Sequence, residues 1–460
     1  MIIDYSLNIE DFSPRLKEFW QLSGDKIIDI YNDLDVNRLG APVFTEKGKY
    51  TSRGWTEWTE GFLYGSAILQ YEASGDDKFL QIGRNGTLEK MATHVSHSGV
   101  HDHGFNNLST YGNLLRLMKE GKIPQNDWEQ NFYEIALKIS GAVQASRWTK
   151  TLNGGFIYSF NGPHSLFVDT IRTVRILIIS HLLGHTLYGE NDIKVNLLKR
   201  AFEHAYTTAR YSIYYGEGRD RYDVRGRTVH ESIFNINDGN YRNPSSQQGY
   251  SGYTTWTRGL AWAMCGFAEE LECVDYLSDI ELEVIGNRQE IETILLEAVK
   301  ATCDFYIDNT PIDGIPYWDT GAPGLINLGD YLNSPSDPYN AFEPVDSSAA
   351  VIASQGLLRL ASHLEELGQD EESKKYLQAG LTIVNSLFSK DYLSREPGHQ
   401  GLILHSIYHY PNDWDYKPVN GKVPHGESSM WGDYHARELG IYLQKIIDKE
   451  PYYAFFNCAK

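Results

Sequence analysis

A helical periodicity returns along this chain again and again, and it narrows the possible folds more than any other feature. Apolar residues at helical spacing cover residues 14–32, 57–74, 76–94, 104–119, 127–147, 168–188, 194–212, 254–272, 286–306, 345–364, 371–388 and 430–447, twelve runs in all. Several carry start signals. Asp76 and Asp77 precede Phe79-Leu80, Pro124-Gln125-Asn126-Asp127 opens the fifth run, and Ser347-Ser348-Ala349-Ala350-Val351-Ile352 begins a stretch of good helix formers. Three segments break the pattern, at about 216–253, 308–344 and 390–429, and their composition predicts strands and loops. Loops this long in a compact domain are functional or disordered. These are full of Trp, Tyr, His and Asp. Twelve helices with aromatic loops gathered on one side predict a helical barrel, inner helices alternating with outer ones. A helical-repeat solenoid would show a period of about 30–45 residues, and none is visible. The chain is expected to form one catalytic-size domain over residues 1–460.

Composition excludes some partners. The net charge of −20 argues against nucleic acid and anionic membranes, though a pocket can still be locally positive for a small anion. No apolar run reaches transmembrane length. Aromatic residues make up 13% of the chain, a surplus common where rings stack on sugars and equally natural in a large core. The four cysteines, Cys265, Cys273, Cys303 and Cys458, show no CxxC and no metal-ligand spacing, so buried reduced thiols are expected. Met1-Ile2-Ile3-Asp4 does not open like a secretory leader. A cytoplasmic location is the expectation, with the periplasm as the alternative for a trimmed chain.

The densest chemistry lies in Gln248-Gly249-Tyr250-Ser251-Gly252-Tyr253-Thr254-Thr255-Trp256-Thr257-Arg258-Gly259-Leu260-Ala261-Trp262. Trp256, Leu260, Met264, Phe267 and Leu271 form one apolar stripe, and Arg258 and Trp262 sit one turn apart on another face. A guanidinium fork suits a carboxylate and an indole suits a sugar ring. The alternative is a buried Trp with an Arg that satisfies backbone carbonyls. Asp102, in His101-Asp102-His103-Gly104-Phe105, is either an N-cap or a catalytic carboxylate. The His-x-His pair has no third ligand at motif spacing, so no metal is expected. Asp169 follows Phe167-Val168 and precedes a strongly apolar helix. It is an N-cap, or a general acid whose pKa desolvation has raised. His230 stands alone in Thr228-Val229-His230-Glu231, and Asp433 in Trp431-Gly432-Asp433-Tyr434 reads as a cap and packing element. There is no GxSxG, P-loop, dinucleotide fingerprint or HExxH. Two separated carboxylates, an Arg and many aromatics leave carbohydrate chemistry as the best class.

Seven strings, in order, resemble the unsaturated glucuronyl hydrolases of glycoside hydrolase family 88. They are Trp58-Thr59-Glu60-Gly61-Phe62, His101 to Phe105, Val168-Asp169, Gln248 to Trp262, Pro316-Tyr317-Trp318-Asp319, Asp346-Ser347-Ser348-Ala349-Ala350 and Trp431 to Tyr434. The resemblance implies an all-α (α/α)6 barrel and an enzyme without a cofactor. Its reaction would remove a Δ4,5-unsaturated uronic acid from the non-reducing end of oligosaccharides left by polysaccharide lyases. The C4=C5 enol ether would be hydrated, not the anomeric carbon attacked. Residue by residue, Asp169 matches the general acid/base and Asp102 its partner carboxylate. His230, Gln248, Arg258 and Trp262 match residues that hold the uronate, and Trp58 an aromatic at the pocket mouth.

The chain also departs from the family. His103 stands where an aliphatic residue is usual, and Phe160 is the candidate for a stacking Trp before the second Asp. Ser406-Ile407-Tyr408-His409-Tyr410-Pro411 lacks the second Ser and the Lys of a Ser-x-x-Ser-x-Lys segment found in members that favour sulfated substrates. The segments 153–164 and 390–429 are long for the family, so a second subsite is expected to be reshaped. A conventional glycosidase, an unsaturated rhamnogalacturonyl hydrolase on the same barrel and a non-catalytic glycan-binding protein are the competing readings. The neighbouring sugar and the oligomeric state are not legible.

Overall fold

The computed structural model describes residues 1–33, 40–53 and 57–451. Among these, all twelve expected helices form: α1 Ser13–Asp33, α2 Glu60–Ser74, α3 Asp77–Lys90, α4 over 103–119, α5 Asp127–Ser146, α6 over 170–182, α7 Leu197–Ser212, α8 Thr257–Asp275, α9 Arg288–Asp308, α10 Ser347–Glu366, α11 Asp370–Leu387 and α12 Met430–Asp448. The start signals act as expected. Asp76 accepts from Lys78 N, Asn126 from Trp128 N and Glu129 N, and Asp346 from Ser348 N. The sixth helix stops earlier than its apolar run predicts. Gly184 takes φ 81°, closes the helix and lets Leu187–Tyr188 pair with Lys194–Val195 as a short hairpin.

Even-numbered and odd-numbered helices form two rings. Each inner helix packs on the next, α2 on α4, then α6, α8, α10 and α12, and α12 packs back on α2. The ring therefore closes, and the fold is an (α/α)6 barrel. The outer helices back it: α3 on α2, α5 on α6, α9 on α8 and α11 on α10. Inner helices are buried on all sides. Every residue of α8 from Thr257 to Leu271 is buried, not only the Trp256–Leu271 stripe, because neighbours flank it on both sides and α9 lies behind. The main core runs from Phe12 to Leu443, with two small satellite clusters around Phe79 and Phe234.

Two local features place the site. α4 is an α-turn His103–Asn107, a π-turn Leu108–Gly112 and a final α-stretch Asn113–Lys119. A methyl group at Gly104 would run into the Thr173 carbonyl, so glycine lets the start of α4 dock on the first turn of α6. Thr173 Oγ1 then donates to the His101 carbonyl at 2.8 Å. Short strands complete the frame. β1 Pro42–Glu46 pairs with β2 Lys49–Ser52, and β3 Trp148–Thr151 with β4 Gly154–Ile157. β5 Ser165–Phe167 runs antiparallel to β6 Glu231–Phe234, which pairs with β7 Tyr241–Ser245. β5 leads directly into Asp169, and Val168 N donates to the His230 carbonyl at 2.9 Å, so pairing sets His230 beside Asp169. No helix among the described residues is long and apolar enough to cross a membrane. Cys265, Cys273 and Cys303 are buried free thiols; Cys458 lies outside the described residues.

Candidate active site

A cavity of about 720 Å³ opens where the inner helices begin. Five of the six bring a residue at or near their N-terminus to its wall: Trp58 before α2, Asp102 before α4, Asp169 before α6, Arg258 in α8 and Trp431 in α12. The sixth, α10, contributes Asp346, which pairs with Arg258. Six sequence-distant segments therefore meet at one place because their helices share one direction around the ring. Of the seven residues singled out in the sequence, Trp58, Asp102, Asp169, Gln248, Arg258 and Trp262 line the cavity. His230 is only 1% exposed and lies behind the wall, against Phe167 and Trp256.

Neither carboxylate is a helix cap. Asp102 and Asp169 occupy N-cap positions, yet neither side chain accepts from its helix. Both are 8% exposed. His101 stands between them, its Nε2 3.6 Å from Asp169 Oδ1 and 3.9 Å from Asp102 Oδ1. This histidine was missed as a site residue in the sequence, where the His-x-His pattern drew attention only to a metal. Among the described residues no group of His, Cys, Asp and Glu has a metal-holding arrangement.

The charge states differ from expectation. Asp169 was expected to have a raised pKa through desolvation. Burial does push it up, but the His101 ring pulls it down further, so it ends below its ordinary value. Asp102 is the raised member. Burial pushes it up, His101 pulls it down, and the like charge of Asp169 pushes it up again. His101 itself is pulled down by burial and raised overall by the two carboxylates. His230 goes the other way, pushed down to about 4, chiefly by burial. Its Nδ1 accepts from Gln247 N at 2.9 Å and Gln248 N at 3.2 Å, so the neutral ring carries its proton on Nε2.

Arg258 is held, not open. Its two terminal nitrogens donate to Asp346, to the Ile407 and Tyr408 carbonyls, and to Gln248 Oε1 at 3.1 Å. The fork that would suit a carboxylate is thus filled by protein acceptors, which is the carbonyl-satisfying alternative with an ion pair added. Nor does it stack on Trp262. It lies over Trp256 at 4.7 Å and Trp431 at 5.0 Å. Its bond to Gln248, a residue of the cavity wall, uses Oε1 as the acceptor. Asp346 also accepts from Ser348 Oγ, and Ser348 Oγ accepts from Trp431 Nε1 at 3.0 Å, so three of the family-like strings lock together.

The floor and walls are aromatic. Trp262 packs on Phe105 at 4.8 Å and on His435 at 4.9 Å, and Trp58 stacks on Trp431 at 5.3 Å. Phe160 lines the cavity, 49% exposed, and lies parallel to His101. The 405–415 loop adds Tyr408, His409 and Trp414, which sequence reasoning did not place in the site. Asp415 holds that loop by accepting from Tyr408 N and His409 N. Ser406 is buried against Ser429 Oγ at 2.6 Å and does not face the cavity. His103 is also structural, joining Ser140 Oγ at 2.9 Å to the His97 carbonyl at 2.8 Å. Asp433 is no cap: Ser429 caps α12, while Asp433 accepts from Tyr50 Oη, Leu402 N and Ile403 N.

No family profile matches the chain. Curated relatives do. An unsaturated glucuronyl hydrolase from Bacillus sp. (strain GL1) is 28% identical over 408 residues, 86% of this chain and 89% of that protein. An unsaturated chondroitin disaccharide hydrolase from Streptococcus pyogenes serotype M1 is 26% identical over 419 residues, 89% of this chain and 86% of that one. Among solved structures, an unsaturated glucuronyl hydrolase specific for heparin superposes with a TM-score of 0.69 at 18% identity, covering 95% of this chain and 98% of its own. The chain is similar in sequence to the unsaturated glucuronyl hydrolases and shares their fold.

Proposed function

We propose that this chain, a glycoside hydrolase of the family 88 type, removes a Δ4,5-unsaturated uronic acid from the non-reducing end of lyase-generated oligosaccharides by hydrating C4=C5. The observation that carries the reading is a pair of buried carboxylates, free of any capping role, on the wall of a sugar-sized aromatic cavity. Relatives of that name, matched over most of their length, support it.

In this reading Asp169 delivers a proton to C4. Positive charge then develops on C5 and the ring oxygen. Water adds at C5 and gives a proton to Asp169, which replaces the one delivered to C4. The hemiketal opens and releases the neighbouring sugar. Asp102 is the partner carboxylate. Its negative charge, when present, favours the cationic C5. The Gln248 amide, oriented by Arg258, donates to the uronate carboxylate, and the Arg258 charge offsets part of the anion. Trp262 and Trp58 supply the flat apolar faces, and His230 holds the 247–248 backbone in place. Ser406 turned away from the cavity supports an unsulfated neighbouring sugar. The buried free thiols support a reducing, cytoplasmic setting.

The test uses unsaturated disaccharides in H₂¹⁸O. The absorbance of the conjugated C4=C5 bond should disappear, and label should enter C5 of the released uronate. Label at the anomeric carbon with the double bond retained would make the protein a conventional glycosidase. Binding without turnover would make it a glycan-binding protein.

A further inference from the structure

We propose that His101 stores the proton that the two carboxylates use, and is a positioning residue that acts through Asp169. The proposal rests on the reading that this pair moves a proton at the sugar. Its own basis is geometric. The imidazole is held on both sides by neutral rings, parallel to Phe160 at 6.2 Å and edge-on to Phe167 at 5.6 Å. Its backbone is fixed by the Thr173 hydroxyl. Both ring nitrogens and Asp169 Oδ1 are buried without a hydrogen bond among the described residues. Such orphaned groups are rare in folded proteins and gather where function needs them. Here they face one another: Nε2 lies 3.6 Å from Asp169 Oδ1, a contact that a small side-chain rotation shortens to a hydrogen bond. Catalytic hydrogen bonds are often long until substrate closes the site.

The surroundings decide which way this ring titrates. The carboxyl groups of Asp102 and Asp169 both face it. Arg147 is the nearby cation, and its guanidinium is committed to the carbonyls of Ser98, Tyr158 and Ser159. His204 and His230, also close enough to interact, are neutral, pushed down chiefly by burial to about 3 and about 4. The carboxylates win, and His101 is raised. The cavity-wall histidines His97 and His409 are lowered instead, mainly by burial. In the proposed resting state the proton sits on His101, between the two carboxylates, and Asp169 is the anion.

The proton count closes. His101 passes a proton from Nε2 to Asp169 Oδ1 and becomes neutral. Asp169 gives that proton to C4, the electron pair of C4=C5 forming the new C–H bond. Water adds to C5 and gives a proton to Asp169, which returns it to His101. No further reactant is needed.

The experiment compares kcat against pH in the wild type and His101→Gln, with ¹⁵N NMR titration of the wild-type imidazoles. At neutral pH the variant should lose about 10²-fold in kcat, with KM little changed. Its basic limb should move to lower pH by roughly 1 unit or more, because the carboxylates alone hold the proton less tightly. Activity should therefore recover on acidification, which a merely structural role does not produce. The His101 ring should be protonated at neutral pH in the wild type. An unmoved basic limb, or a neutral His101 at pH 7, overturns the proposal. Should the variant fail to fold, the wild-type titration decides alone. Should the wild type leave the double bond intact, the functional reading fails, and the titration still tests the stored proton.

Discussion

At the N-termini of α8 and α10 the chain delivers Arg258 and Asp346; at those of α4 and α6 it delivers His101, Asp102 and Asp169. Both clusters are buried and charged, and both sit where two inner helices meet. In the first, four guanidinium N–H groups find four acceptors, one of them a carboxylate that also caps α10. In the second, two carboxylates at N-cap positions cap nothing, and three polar atoms of His101 and Asp169 have no hydrogen bond. The satisfied cluster behaves like a rivet. The unsatisfied one carries the cost typical of a reacting centre, where local rules give way to chemistry. Mutations should therefore separate them: changes in the unsatisfied cluster should be read mainly in rate, changes in the satisfied one mainly in stability.

The sharpest separation comes from Asp169→Asn. It keeps the shape of the side chain and removes the proton carrier. The rate of double-bond loss should fall by about 10²–10⁴-fold, while calorimetry with an unsaturated disaccharide still finds binding. A variant with near-normal kcat would show that Asp169 is not the acid/base and that the two clusters do not differ as argued.

Arg258→Ala attacks the rivet. Asp346 is fully buried, so removing its partner leaves an uncompensated charge inside the protein. The expected loss is about 3–5 kcal/mol of stability, read as a lower urea midpoint, together with weaker substrate binding as Gln248 loses its orientation. Arg258→Lys should recover only part, because an ammonium has three donors on one atom where the guanidinium fork meets four acceptors. An Ala variant with unchanged midpoint and raised KM would instead make Arg258 a ligand-facing group.

This division also explains what could be read from the sequence. Helix number and order were legible, because twelve amphipathic or apolar runs with Asp, Asn and Ser at their starts are local signals. The cavity-lining roles of Asp102, Asp169, Gln248, Arg258 and Trp262 were legible through seven strings in order. The partners were not. Arg258 meets Asp346 across 88 residues and the Ile407 carbonyl across 149, and no local spacing announces either contact. The pKa of Asp169 was misjudged for the same reason. Its apolar flanks are adjacent in sequence, but the His101 ring that overrides them arrives from the bend before α4, through the close approach that Gly104 allows. His101 was visible in its motif; its orientation between two carboxylates was not. The 405–415 loop, with Trp414 and His409, had composition but no periodicity to place it.

The finest test of the comparison lies within the unsatisfied cluster, where the two carboxylates should affect stability in opposite directions. Asp102 is raised in the fold, by burial first and then by Asp169. Such a group adds stability that is fully present below its unfolded pKa of about 3.9, and this stability is lost as pH rises through the folded value. At neutral pH its charge is a burden, so Asp102→Asn should be more stable than the wild type. Asp169 is lowered overall, because His101 outweighs burial. It adds stability that is present above its unfolded pKa and lost as pH falls through the folded value, so Asp169→Asn should be less stable at neutral pH. Each difference should be roughly 0.5–2 kcal/mol. Urea midpoints measured from pH 3 to 8 should show the two variants on opposite sides of the wild type at neutral pH. The three curves should draw together on acidification, as both aspartates approach protonation and an Asn becomes a close substitute. Two variants displaced in the same direction would mean that His101 does not divide the pair, and the resting proton would have to be placed elsewhere.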